Sequence, residues 1–143
     1  MIQKKIFKFL INFFILFFLN NLSSALADAP IYQLEAEKII YQNNNSIIVA
    51  EGNASAINKY GKKIFANKII YDKKNSIIKT EENSIYIDEF KNKLTAKFFV
   101  YNLNKKEIKA SQNIKFTDSD ENIFYFNELI YFLEQERGIG TKF

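Results

Sequence analysis

The chain has 143 residues, with 20 basic and 16 acidic side chains, a formal net charge of +4, and neither cysteine nor histidine. Without cysteine there are no disulfides, no thiol catalysis and no lipid-modified cysteine anchor; without histidine the commonest general base and metal ligand is missing. No spacing suggests a metal site, a phosphate loop or a nucleophile paired with a base, so neither an enzyme nor a cofactor is expected.

Residues 1–27 read as a cleavable export signal. Lys4, Lys5 and Lys8 make a basic start, an apolar run follows to Leu19, and Ala25-Leu26-Ala27 supplies the small residues of a cleavage site. The alternative is a retained anchor, since Ile6 to Leu22 is nearly long enough to span a bilayer, which takes about 20 apolar residues. Lys8, Asn12, Asn20 and Asn21 interrupt the run and favour cleavage. The expected location is the periplasm. Removing three lysines from the 20 basic residues leaves 17 against 16 acidic ones, a net charge near +1. Basic and acidic side chains are interspersed, so no nucleic-acid partner is expected.

From residue 28 onward the chain repeats. Tyr41, Tyr71, Tyr101 and Tyr131 recur every 30 residues. Ala36, Ala66 and Ala96 precede the first three by five positions, with Phe126 in the fourth copy; Ile48, Ile78 and Ile108 follow by seven, and Asn53, Asn83 and Asn113 by twelve. A period of this length means one supersecondary unit stacked on copies of itself. Seven strands are predicted, near 34–41, 47–57, 63–71, 77–87, 93–101, 107–117 and 123–133. They are separated by polar turns at 42–46, 58–62, 72–76, 88–92, 102–106 and 118–122, rich in Asn, Asp, Ser and Lys. Links this short favour antiparallel neighbours, so each repeat is two strands and two turns.

In the second strand type, even positions are mostly apolar or small (Ile48, Ala50, Ala54, Ala56; Ile78, Thr80, Ser84, Tyr86; Ile108, Ala110, Ile114, Phe116), while odd positions carry Glu51, Lys79, Glu81, Lys109 and Lys115. One face is mainly dry. Val49, Ile85 and Ile87 depart from this on the wet side. In the first strand type the apolar parity slips between Ala66 and Ile69, and between Ala96 and Phe99, which suggests a bulge near the middle of those strands.

The repeating phrases AEKIIY, FANKIIYD and TAKFFVY, alternating with IIVAEGNASAI, IIKTEENSIYI and IKASQNIKFTD, resemble the OstA-like family of periplasmic lipopolysaccharide transport proteins (LptA and LptD N-terminal-domain type) over about residues 34–131. The family glycine stands at Gly52, with Glu82 and Gln112 in the later copies; the acidic residue after alanine is Glu37, then Asn67 and Lys97. Those departures bear on the local backbone of copies two and three. The resemblance implies an all-β fold, an antiparallel, twisted, partly open β-jellyroll of about three and a half 30-residue repeats spanning 28–133, with 134–143 as an extension or a truncated continuation. It further implies a lipopolysaccharide-binding bridge between inner- and outer-membrane transport components, paired edge to edge with other OstA-like domains or head to tail with itself.

On that reading the acyl chains lie in a groove walled by Ile64, Ile69, Ile78, Tyr86, Leu94, Phe99, Ile108, Ile114, Phe116, Phe124 and Phe126. A packed core has the same alternation, so periodicity does not separate groove from core. The first and last strands are the expected assembly edges, through Leu34, Ala36, Ile39 and Tyr41 at one end and Tyr125, Leu129 and Tyr131 at the other, because unpaired strands recruit other strands. The alternative is that residues 134–143 fold back over the last strand, which Gly138 and Gly140 permit. Two other functions stay open: the N-terminal periplasmic domain of an outer-membrane translocon, and a structural β-repeat module without lipid cargo.

Overall fold

A computed structural model describes residues 32–141, so the expected export signal at 1–27 lies outside the described residues. Eleven strands and one short 3-10 turn (Leu133–Gln135) make up the domain: β1 Gln33–Glu35, β2 Lys38–Gln42, β3 Ile47–Ile57, β4 Lys63–Asp72, β5 Ile77–Glu81, β6 Ser84–Ile87, β7 Lys93–Ala96, β8 Phe98–Asn102, β9 Glu107–Thr117, β10 Ile123–Phe132 and β11 Arg137–Thr141. The seven expected strands are all present. Three of them are each divided in two, at Ala36-Glu37, at Glu82-Asn83 and at Lys97.

The divisions mark one fold line across the whole sheet. At each crossing a single residue, Glu37, Asn67, Lys97 or Asn127, faces a left-handed pair: Gly52-Asn53 (φ 80° and 46°), Glu82-Asn83 (58° and 51°) or Gln112-Asn113 (63° and 55°). The backbone N–H of Glu37, Asn67 and Lys97 donates to the carbonyl of Gly52, Glu82 and Gln112 at 3.0, 3.1 and 2.8 Å. Two residues against one is a bulge, which bends the strand. Its extra residue belongs to the second strand type, not to the first as the parity slip suggested; the slip between Ala66 and Ile69 is the fold line seen from the opposite strand.

Either side of the line is an antiparallel half-sheet. The first holds β2, 47–51 of β3, 68–72 of β4, β5, β8, 107–111 of β9, 128–132 of β10 and β11; the second holds β1, 54–57, 63–66, β6, β7, 114–117 and 123–126. Their inner faces meet in one apolar cluster. Aromatic pairs join them away from the fold line: Tyr86 lies edge-on to Tyr101 at 5.8 Å, and Phe116 packs on Tyr131 at 5.1 Å.

Loss of the glycine in copies two and three leaves the bend intact, for a reason visible in copy one. A Cβ on Gly52 would lie 2.6 to 2.9 Å from the Oε2, Cδ and Cβ atoms of Glu37, which fills that space while accepting a hydrogen bond from Asn53 Nδ2. In copy two the facing residue is the shorter Asn67, whose Nδ2 donates to Glu82 Oε2 at 3.0 Å. The pair changes together, and Glu82 and Gln112 hold left-handed angles that cost a non-glycine residue about 1–2 kcal/mol each.

The turns at the far edge of the second half-sheet are built alike. Oδ1 of Asn58, Asp88 and Asp118 accepts from the backbone N–H two and four residues on, and Gly61, Lys91 and Glu121 take positive φ. Register in the first half-sheet is pinned by facing charges on its outer surface, where Glu51 meets Lys38 and Lys68, and Lys68 meets Glu81, each at 3.6 Å. A one-residue slip would place like faces wrongly and break all three.

Candidate lipid-binding interior and assembly edges

The side chains clustered between the half-sheets are apolar, with the buried polar residues Asn58, Asp88 and Asn92 in the turns at 58–62 and 88–92. Ile64, Ile69, Ile78, Tyr86, Leu94, Phe99, Ile108 and Ile114 all sit inside it with at most 1% exposure. Phe116 and Phe126 pack against this cluster while partly exposed, and Phe124, 42% exposed, tilts against Phe116 at 6.4 Å. The sequence-derived wall residues therefore come together, eight of them buried in one apolar cluster and three at one end. The polar residues buried here serve the backbone: Thr80 Oγ1 accepts from Phe99 N at 3.0 Å, and Ser84 Oγ donates to the Lys97 carbonyl at 3.1 Å.

Among the described residues, strand order leaves both ends of the interior uncovered. At the first end β1 and β2 pair with β3 alone. Ile39, opposite the buried Ala50, and Tyr41, opposite the half-buried Ile48, are 36% and 59% exposed, and among the described residues no further strand lies beyond them. Leu34 and Ala36 pack on the core from the second half-sheet. At the other end, residues 123–126 of β10 pair with β9 alone, which exposes Ile123, Phe124 and Tyr125.

The last strand is not an edge along its whole length. Residues 128–132 pair with β11, so residues 137–141 do fold back, but over the first half-sheet only. Leu129 and Tyr131 are consequently core residues, 2% and 3% exposed, rather than assembly-edge residues. Their partners on β11 are Gly140 and Gly138, so this strand sends no side chain inward. A Cβ on Gly140 would enter the Phe126 ring and approach the Glu128 carbonyl at 2.9 Å. The glycines let Phe126 lie across the end of the interior.

Sequence reasoning did not single out a group of tyrosines near the turn at 88–92. Tyr32 precedes β1, outside any predicted strand, and lies edge-on to Tyr101 at 6.4 Å, next to the Tyr86–Tyr101 pair. Burial pushes the Tyr101 and Tyr131 phenols up to about 12 and raises Tyr71, while Tyr32 and Tyr86 rise further, by burial first and then by proximity to Tyr101. The 30-residue recurrence of tyrosine was the available signal for Tyr71, Tyr101 and Tyr131; none pointed to Tyr32.

No protein-family model matches the sequence, and no curated relative does. Among solved structures the chain is similar to the crystal structure of LptH, the LptA homologous periplasmic component of the conserved lipopolysaccharide transport device from Pseudomonas aeruginosa. The two superpose with a TM-score of 0.70 over 80% of this chain and 84% of that one, at 12% sequence identity. At that identity the likeness speaks for architecture: this chain has the antiparallel β-jellyroll fold of that LptA homologue.

Proposed function

We propose that the chain is a periplasmic, non-enzymatic carrier that shelters the acyl chains of lipopolysaccharide between its half-sheets and bridges inner- and outer-membrane transport components. The observation that carries this reading is an apolar cluster running from strand edge to strand edge, with Ile39 and Tyr41 exposed at one end and Phe124 at the other. Each methylene left in water costs roughly 0.8 kcal/mol, so a continuous apolar path removes the main barrier to moving a multi-chain lipid through an aqueous space. The likeness in fold to LptH supports the same reading. The bridge is assembled by strand addition. The free sides of β1 and β2 in one copy, or in a related domain, continue the half-sheets beyond 123–126 of β10 and beyond β11 of another. Export through residues 1–27 puts the mature start near Asp28.

A photo-crosslinking residue at Phe116 or Phe124 is expected to capture lipopolysaccharide, whereas one at Lys115, on the outer face of the same β9 strand, is not. No adduct at either inner position, or equal capture at all three, would overturn the proposal. The filled state of the eight core positions favours a second reading, a structural β-repeat module without cargo, for which the inner positions yield no adduct.

A further inference from the structure

Resting on the lipid-carrier reading, we infer that the hydroxyls of Tyr32, Tyr86 and Tyr101 form a hydrogen-bonding collar for the ester or amide carbonyl oxygens where acyl chains join the headgroup of a bound lipid.

Tyr32 and Tyr86 are 3% and 1% exposed; the Tyr86 hydroxyl completes no hydrogen bond, and the Tyr32 hydroxyl has only that of Tyr101 beside it. Tyr101, 2% exposed, stands between them, its ring meeting both edge-on and its hydroxyl near enough to that of Tyr32 to influence its ionisation. Buried hydroxyls without partners are uncommon and costly, and those in native proteins usually mark a site completed by something else. These two lie together, while the buried Thr80 and Ser84 are satisfied locally and Asn58, whose Nδ2 is also unpartnered, belongs to the 58–62 turn.

The chemistry of the surroundings selects the partner. A phenol donates, so the missing group is an acceptor. It is a neutral one: the carboxylates of Asp88 and Glu89 lie close enough to raise the Tyr86 phenol, the nearby Lys62 is taken up by Glu89 at 3.5 Å, and a phosphate or carboxylate would meet repulsion from Asp88. The cluster sits beside the 88–92 turn, where the apolar interior gives way to polar turns. An acyl-linked lipid with its chains inside places its neutral carbonyl oxygens at that same transition.

Two probes used below their micelle concentrations separate the collar from apolar binding: sucrose monododecanoate, which carries an ester carbonyl, and dodecyl maltoside, which has a similar chain and a disaccharide head without one. Wild type is expected to bind the ester more tightly, by roughly two- to tenfold for each hydrogen bond formed. Tyr32→Phe, Tyr86→Phe and Tyr101→Phe combined remove that preference, so that the two probes bind with equal affinity. Tyr86→Phe alone keeps or raises the thermal midpoint of the lipid-free protein, which establishes folding. An ester preference that survives the triple replacement, or wild type binding both probes equally, overturns the collar but not the carrier. Failure of wild type to bind either probe overturns both.

Discussion

The bend in copy one makes a demand that copies two and three do not, and Gly52→Ala tests it. Gly52 holds φ at 80°, and an added Cβ meets the Oε2, Cδ and Cβ atoms of Glu37 at 2.6 to 2.9 Å. Left-handed backbone costs alanine about 1–2 kcal/mol, and forcing atoms into filled space typically adds 1–3 kcal/mol. The expected loss is about 3 kcal/mol, a fall of about 12 °C in thermal midpoint at about 4 °C per kcal/mol. Urea unfolding followed by circular dichroism and tyrosine fluorescence reads it, since the chain has no tryptophan. A second variant installs the pair of copy two, Gly52→Glu with Glu37→Asn. It is expected to recover at least half of the loss, because Glu82 already holds φ 58° opposite Asn67. A single replacement costing under about 0.5 kcal/mol, or a double no better than the single, refutes the argument that Glu37 is what requires glycine at this bend.

Alkaline conditions are expected to unfold the protein cooperatively. The phenols of Tyr32, Tyr86, Tyr101 and Tyr131 are raised above the ordinary value of 10.0, so the stability they contribute is complete below about pH 10 and is lost as pH climbs toward their folded values. Absorbance at about 295 nm should therefore register ionisation of this buried group only together with loss of the β-sheet circular dichroism signal; ionisation of the group without unfolding contradicts this. At the acid end, Asp118 is held below 3.8 by hydrogen bonds, first from the Asn122 side chain, and Asp72 below 3.8 by the Asn75 backbone and side chain. Their contribution is present above about pH 4 and falls as pH drops through the depressed values. Asp118→Asn, which copies the turn at Asn58, should lessen the drop in urea midpoint between about pH 5 and pH 3. For assembly, Glu35→Cys and Tyr125→Cys variants of this cysteine-free chain, mixed and oxidised, are expected to give a mixed disulfide-linked dimer in excess of either self-dimer; a random distribution of products argues against edge pairing.

Strands, turns and the repeat were legible because each rests on neighbours in sequence. A turn such as 118–122 is closed by its own side chain, Asp118 accepting from Asp120 and Asn122, so its type can be read from five residues. The register along β3 and β4 follows from alternation that any window of the chain displays. The extra residue at each bend was less visible. Two left-handed residues preserve even parity in the second strand type, and the slip appears only in the strand opposite.

Burial at the ends was decided by the assembled sheet. Tyr41, Tyr71, Tyr101 and Tyr131 occupy one position of the repeat, and sequence treats them alike. Yet Tyr41 is 59% exposed while the other three are 6%, 2% and 3% exposed, because Tyr41 stands on a strand with no neighbour beyond it among the described residues. Leu129 became core rather than edge for the converse reason, since β11 returns to pair with its strand. Local chemistry and the 30-residue period determine the unit and its fold class. Which copies of a repeated side chain line the interior, and which stand open at its ends, depends on contacts between residues far apart in the chain, and only the folded sheet supplies them.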